Sequence, residues 1–184
     1  MSSKYKFIEK EGIYFTTSTI VGWVDLFTRD IYRNIVLNSI RHCQTSQGLN
    51  IHAWVMMTNH IHLICSVKNG GDLGLVLRNM KSYTAMKLID AVINNPKESR
   101  REWILNEFEK HGKASSSNLK FKCWEHENQP FLLDSKFLYD QKLNYLHNNP
   151  VVAGFVTDPT HWKYSSAKEY ATGEKGLLNL EILE

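Results

Sequence analysis

The sequence predicts an α+β fold, an antiparallel sheet with helices packed on it. Three observations predict it: runs of β-branched and aromatic residues, apolar residues at helical spacing between those runs, and a short turn joining two adjacent strands. Together they give the order β-α-β-β-α-…-β-α, which a layered sheet-and-helix architecture accommodates.

The first strand is expected in "GIYFTTSTIVGW", residues 12–23, which is dense in Thr, Ile, Tyr and Phe. A helix follows over "VDLFTRDIYRNIVLNSIRHC", with Leu26, Ile31, Ile35, Leu37 and Ile40 in helical rhythm. "LNIHAWVMM" and "HIHLICSV" read as two strands, with Thr58-Asn59 between them as a tight antiparallel turn. "GGDLGLVLRNMKSYTAMKLIDAVINN" reads as a long helix capped by Asp72 and closed by Pro96. Ser99 and Glu102 have capping-box spacing ahead of "SRREWILNEFEKHG", and Gly112 is expected to close that helix. "KASSSN" reads as a surface loop, and "LKFKCWEHENQPFLL" as an edge strand limited by Pro130. The helix "DSKFLYDQKLNYLHNN" is expected to stop at Pro150, with Asn149 as its cap. "HWKYSSAKEYATG" reads as a final turn or two of helix.

Composition narrows the function classes. Of the 184 residues, 42% are hydrophobic and 22% charged, so one domain with a real core is expected. The net charge of +3 permits an anionic partner without pointing to one. Cys43, Cys65 and Cys123 are odd in number and form no C-x-x-C, which speaks against a disulfide framework or a thiolate zinc knuckle. No stretch has the apolar length of a membrane span, and "MSSKYKFIEKEG" lacks the apolar core of a signal peptide. A cytoplasmic protein is expected.

The stretch richest in chemistry is "WVMMTNHIHLICSV". Alternation along a strand puts Ile61, Leu63, Cys65 and Val67 on a core face and His60, His62, Ile64 and Ser66 on the other. Same-face residues two apart have Cβ atoms about 6.5–7 Å from each other, so their imidazoles can converge on one divalent ion. The same spacing also suits two hydrogen-bonded histidines on a partly open face, so a third member is needed to decide. In "NYLHNNPVVAG", Tyr139, Leu143 and Leu146 make a core stripe, while Tyr145 lies on its flank and Asn149 one turn beyond. Packing accounts for Tyr145 as readily as chemistry does. The chemical reading is a phenol nucleophile beside an amide carbonyl that completes a metal site. Phenol has a pKa near ~10 and needs help to lose its proton at neutral pH, and a cation polarising the phosphate would aid its attack.

"HIH" after a hairpin, then "YLHNNPVVAG" on a later helix, resembles the single-tyrosine HUH transposases. These include insertion-sequence and REP-associated tyrosine transposases, with patterns such as M-P-N-H-hydrophobic-H and Y-I-x-x-N-P-x-x-A-G. The likeness runs from about Gly12 to the tail, where Trp162 and Ser165-Ser166 fit W-x-x-S-S, and it takes in "KSYTAMKL".

The resemblance implies a ferredoxin-like sheet and a single transposase-like domain over 1–184. Within it, about 96–118 is an inserted helix and flexible loop, and about 160–184 a C-terminal tail. It implies Tyr145 as nucleophile, His60, His62 and Asn149 as ligands of Mg²⁺ or Mn²⁺, and single-stranded, hairpin-containing DNA as substrate. It also implies nicking through a 5′-phosphotyrosine, rejoining without ATP, and a homodimer. A domesticated nickase acting on chromosomal repeats, a silent nucleic-acid-binding module and a metal hydrolase using water stand as rivals. Departures from the family pattern are Thr58 where Pro is usual, Val152 where Arg is common, and the longer 96–118 segment.

Lys81, Arg100, Arg101, Lys120 and Lys122 are candidate phosphate contacts, and Trp124 and Trp162 candidate stacking surfaces for unpaired bases. A solvated charged face explains the basic residues equally well. Tyr83 reads as a packing residue or DNA contact, and His52 as a core histidine. His111, His126 and His161 read as surface residues, and His147 points too far around its helix to serve Tyr145.

Overall fold

The computed structural model describes residues 7–68, 70–115, 119–125 and 129–183. His126 and the end of the "KASSSN" stretch lie outside them. Strands β1 (Tyr14–Thr19), β2 (Leu49–Met56), β3 (His60–Val67) and β4 (Phe131–Leu132) form one sheet in the order β2-β3-β1-β4. All three pairings are antiparallel. With helices in the connections, this is the expected α+β, ferredoxin-like arrangement.

The two faces of the sheet bury different sets. Ile61, Leu63, Cys65 and Val67 of β3 join Trp54, Met56 and Tyr14 in the larger core. Helices α1 (Asp30–Ser46) and α2 (Leu73–Asn94) supply that core with Leu37, Ile40, Met80 and Leu88. Helix α4 (Lys136–Val152) lies on the opposite face, where Leu146, Tyr139 and Leu143 meet Phe15, Val55 and Ile64. The histidine-bearing face of β3 is therefore the face that α4 covers. That arrangement follows from period-two alternation in the strand and 3.6-residue periodicity in the helix.

The hairpin turn is as read: the Met57 N–H donates to the His60 carbonyl at 2.8 Å, enclosing Thr58-Asn59. Asp72 caps α2 by accepting from the Leu75 N–H at 2.9 Å. Several boundaries differ from expectation. The helix expected from Val24 starts at Asp30, because Val21–Trp23 and Leu26–Thr28 form separate 3-10 turns. Ser99 does not cap helix α3 (Arg101–Lys113). Arg100 stands at the N-cap with no side-chain cap, and its own N–H donates to the Glu98 carboxylate at 3.1 Å. Gly112 lies inside α3 rather than ending it, and a Cβ there would collide with the carbonyl oxygens of Leu119 and Lys120.

Pro150 does not stop α4, and Asn149 is not its cap. The helix runs on to Val152, and the turn beyond is taken by Gly154 at φ 77°. A proline in the last turn removes one N–H without ending the helix, provided residue i−1 is held helical. Here the Asn149 carbonyl accepts from the Ala153 N–H at 3.0 Å.

Helix α3, in the segment expected to be an insertion, is built into the fold. Ile104 and Phe108 are fully buried, each contributing about 1.5–3 kcal/mol by its burial. The C-terminal segment returns to the free edge of β2. The Met56 N–H donates to the Tyr164 carbonyl, the Ser166 N–H to the Trp54 carbonyl and the Glu181 N–H to the Ile51 carbonyl. Helix α5 (Ala167–Thr172) follows Ser166. No helix among the described residues is long and apolar enough to cross a membrane.

Candidate active site

Register places the partners of the two histidines. Thr17 and Thr19 of β1 stand directly opposite His62 and His60 of β3. Thr17 Oγ1 lies 2.8 Å from His62 Nδ1. His60 Nδ1–H donates to Asn59 Oδ1 at 2.7 Å. The two imidazoles meet edge to face, with ring centroids 4.8 Å apart.

Helix α4 brings Tyr145 and Asn149 to the same spot. The Tyr145 ring is 5.5 Å from that of His62, and its side chain is 51% exposed rather than sealed in the core. Asn149, one helical turn on, sits with Nδ2 3.4 Å from His62 Nε2. Since that amide donates to His62 Nε2, the ring's proton is on Nδ1 and goes to Thr17. His60, His62, Tyr145 and Asn149 line one open pocket of about 460 Å³ together with Thr17, Thr19, Trp23 and Gln129. Asn149, the expected third member, stands beside the histidine pair in the same chain.

Electrostatics favours neutral imidazoles. Burial, then His60 and then Lys142 push His62 down to about 3. His60 is also lowered, by burial, with a hydrogen bond to Asn149 pulling the other way. Neutral rings with Nδ1–H tied back and Nε2 free are the state in which histidine binds metal. The donor chemistry therefore fits a divalent cation: His60 and His62 through Nε2, and Asn149 through Oδ1 once its amide turns over. Among the described residues, no group of three or more His, Cys, Asp or Glu is placed to hold a metal. The polar group that stands with His60 and His62 is the Asn149 amide.

Lys142 is a site residue that the sequence reading passed over. Its Nζ lies 5.7 Å from the Tyr145 ring centroid and 5.1 and 4.9 Å from those of Phe15 and Phe131. The signal was available, because Lys142 is three residues before Tyr145 and so on its side of the helix. Thr17 and Thr19 had no such signal, since only strand register puts them beside the histidines.

The proposed nucleic-acid contacts are dispersed, and most are engaged internally. Lys81 donates to the Glu125 carbonyl at 3.0 Å, and burial, with Lys122 nearby, brings its ammonium down to about 8. Arg100 is held by Glu98 at 3.1 Å and by the Asp25 carbonyl. Arg101 donates to the Asn95 carbonyl, and Lys122 pairs with Glu125 at 3.5 Å. Lys120 is exposed, with Nζ 5.3 Å from the Phe121 centroid.

Trp124 is 7% exposed and donates its indole N–H to Thr84, so its ring is core. Trp162 donates to the Met56 carbonyl and stacks on Phe155 at 5.3 Å. Other histidines are accounted for locally. His52 is buried between Ser66 Oγ and the Glu181 carbonyl, and His147 meets Ser166 Oγ at 2.8 Å. Tyr83 is exposed, with Lys87 5.8 Å from its ring centroid.

Two imidazoles, an amide and a phenol thus line one open pocket. Residues 24–110, which include both histidines, match the family described as "Transposase IS200 like". That match spans just under half of the chain, which over those residues is similar to the IS200-like transposases. No curated protein sequence matches it. Among solved structures, it is similar to a REP-associated tyrosine transposase bound to a REP hairpin. The two share 17% identity and a TM-score of 0.61, over 100% of this chain and 94% of the other. That likeness establishes the fold. A Deinococcus radiodurans R1 protein described as a transposase is 16% identical, with a TM-score of 0.43 over 80% of this chain and 97% of that one.

Proposed function

We propose that the protein is a metal-dependent single-strand DNA endonuclease and strand transferase, with Tyr145 as nucleophile. The observation that carries this reading is the convergence of Tyr145 and Asn149, from α4, with His60 and His62, from β3, in one solvent-open pocket. Packing alone does not call for a half-exposed phenol beside one buried and one half-buried imidazole.

The Tyr145 hydroxyl gives its proton to solvent and its oxygen attacks the scissile phosphorus. The bond from phosphorus to the 3′ oxygen breaks, and that oxygen takes a proton to leave a free 3′-OH. The 5′ side stays joined to Tyr145 as a phosphotyrosyl ester. Reversal on another 3′-OH rejoins the strand without ATP, because the ester conserves the bond's energy. A divalent ion held by His60, His62 and Asn149 would polarise the phosphate and stabilise charge in the transition state. Thr17 and Asn59 orient the two rings from behind. Two nitrogen ligands make Mn²⁺ a reasonable choice beside Mg²⁺.

The substrate in this reading is hairpin-containing single-stranded DNA, and the working form is a homodimer. The hairpin-bound relative supports the substrate class. Whether the gene is mobile or a domesticated nickase acts on chromosomal repeats is decided by the sequences flanking it, since a mobile element has recognisable ends.

The test is incubation with labelled single-stranded hairpin DNA and Mn²⁺, followed by denaturing electrophoresis. A denaturant-resistant adduct is expected with the native protein and none with Tyr145→Phe. Cleavage that survives Tyr145→Phe overturns the reading in favour of water as nucleophile.

A further inference from the structure

Among the described residues, Trp23 is the one non-glycine residue with a positive φ, at 55°. It follows Gly22 at φ 62° and ψ 16°, and the Val24 N–H closes the turn on the Val21 carbonyl at 3.4 Å. Two successive left-handed residues make a type I′ turn, which favours Gly, Asn or Asp at both positions. A bulky side chain there is strained and persists only where its surroundings hold it.

They do hold it. The Glu107 carboxylate and His111 imidazole of α3 lie 2.9 and 3.4 Å from where a Gly22 Cβ would stand. From the other side, Asn59 Nδ2 donates to the Trp23 carbonyl at 3.4 Å. Asn59 is also the residue that orients His60.

Burial does not explain the strain, because the Trp23 side chain is 69% exposed. The indole instead lines the pocket of His60, His62, Tyr145 and Asn149. Its centroid is 6.5 Å from that of His60. An indole fixed beside a phosphate site offers a flat surface to the group next to that phosphate. Trp124 and Trp162 are packed internally, and Trp103, though exposed, does not line this pocket.

Resting on the function proposed above, we infer that Trp23 is a base-stacking residue. Its indole takes the face of the nucleobase adjoining the scissile phosphate and so sets which phosphate reaches Tyr145. Stacking of this kind tolerates any base, because every base has a π face. It would position the strand while leaving the choice of sequence to other contacts.

The test uses the full chain carrying Tyr145→Phe, so that no strand is cut. Two fluorescent single strands of about 12 nucleotides are compared, one of random sequence and one abasic throughout. Anisotropy titrations are run at fixed salt with Trp23 native and with Trp23→Ala, Trp23→Phe and Trp23→Gly. Trp23→Ala is expected to weaken the base-bearing strand about tenfold and leave the abasic strand unchanged, and Trp23→Phe to restore most of the loss. Trp23→Gly, which relieves the left-handed backbone, is expected to raise the thermal midpoint while losing the same affinity.

Equal weakening on both strands, or none on the base-bearing strand, overturns the inference. The binding readout is independent of the nucleophile. If native protein never forms an adduct yet the Trp23 difference appears, the nicking reading fails, base stacking by Trp23 stands, and its role in choosing the phosphate for Tyr145 falls. An adduct without the Trp23 difference sinks the inference alone. Failure of the parent protein to bind either strand defeats the inference as well.

Discussion

Exchanging Glu98 for Gln keeps the shape of the side chain and removes its charge, at the point where the link between α2 and α3 is pinned to α1. The Glu98 side chain is fully buried. Tyr32 Oη donates to it at 3.1 Å and the Arg100 guanidinium at 3.1 and 3.4 Å. Arg29 Nε is 2.8 Å away as an ion pair rather than an aligned hydrogen bond. Burial alone would raise its pKa. Hydrogen bonds from the Arg100 side chain and backbone, the Arg100 charge and Arg29 outweigh burial and bring it from 4.5 down to about 2. At about 1.4 kcal/mol per tenfold change in acidity, that corresponds to roughly 3 kcal/mol of stability carried by the ionised form. Because the unfolded chain holds the proton more tightly, this contribution is complete above about pH 4.5 and disappears as pH falls through about 2. Urea unfolding at pH 7 is expected to show Glu98→Gln less stable than native by roughly 3 kcal/mol. The gap should close between pH 4.5 and 2. A gap under about 1 kcal/mol at pH 7, or one that does not narrow on acidification, refutes the reasoning.

Tyr145→Phe should unfold at the same urea concentration as native protein and lose the DNA adduct entirely, as gel and unfolding curves on one preparation would show. Thr17→Val removes the group that holds His62 Nδ1 and should weaken Mn²⁺ binding about 10–100-fold, measured by calorimetric titration of folded protein. Gly112→Ala drives a methyl group into the Leu119 and Lys120 carbonyls and should cost about 1–3 kcal/mol of stability in urea unfolding.

Period-two alternation was enough to put His60 and His62 on one face and the core residues of β3 on the other, because a strand's geometry leaves no alternative once it is a strand. Helical spacing likewise stacked Asn149 over Tyr145. What the residues alone did not supply was the meeting of those two elements. Their approach depends on strand order and on which face α4 covers, so it entered only through the resemblance. Features set by long-range backbone geometry were illegible for the same reason. The bulge between Ile51 and Ala53 turns His52 toward Ser66, away from the Trp54 face that simple alternation assigns it. Ser99 had the spacing of a cap, yet a buried carboxylate one residue earlier satisfied the Arg100 N–H. Trp124 was expected to offer a stacking surface among nearby lysines, whereas its ring packs near Phe27.

The strip from Trp162 to Glu181 acts as a stopper along the outermost strand. Its backbone occupies donors and acceptors that would otherwise template another copy of the sheet. A gene truncated upstream of that strip would therefore still encode His60, His62, Tyr145 and Asn149, yet its product would be prone to polymerise edge to edge. Frameshifts that spare every reacting group can, in this architecture, silence the protein through insolubility.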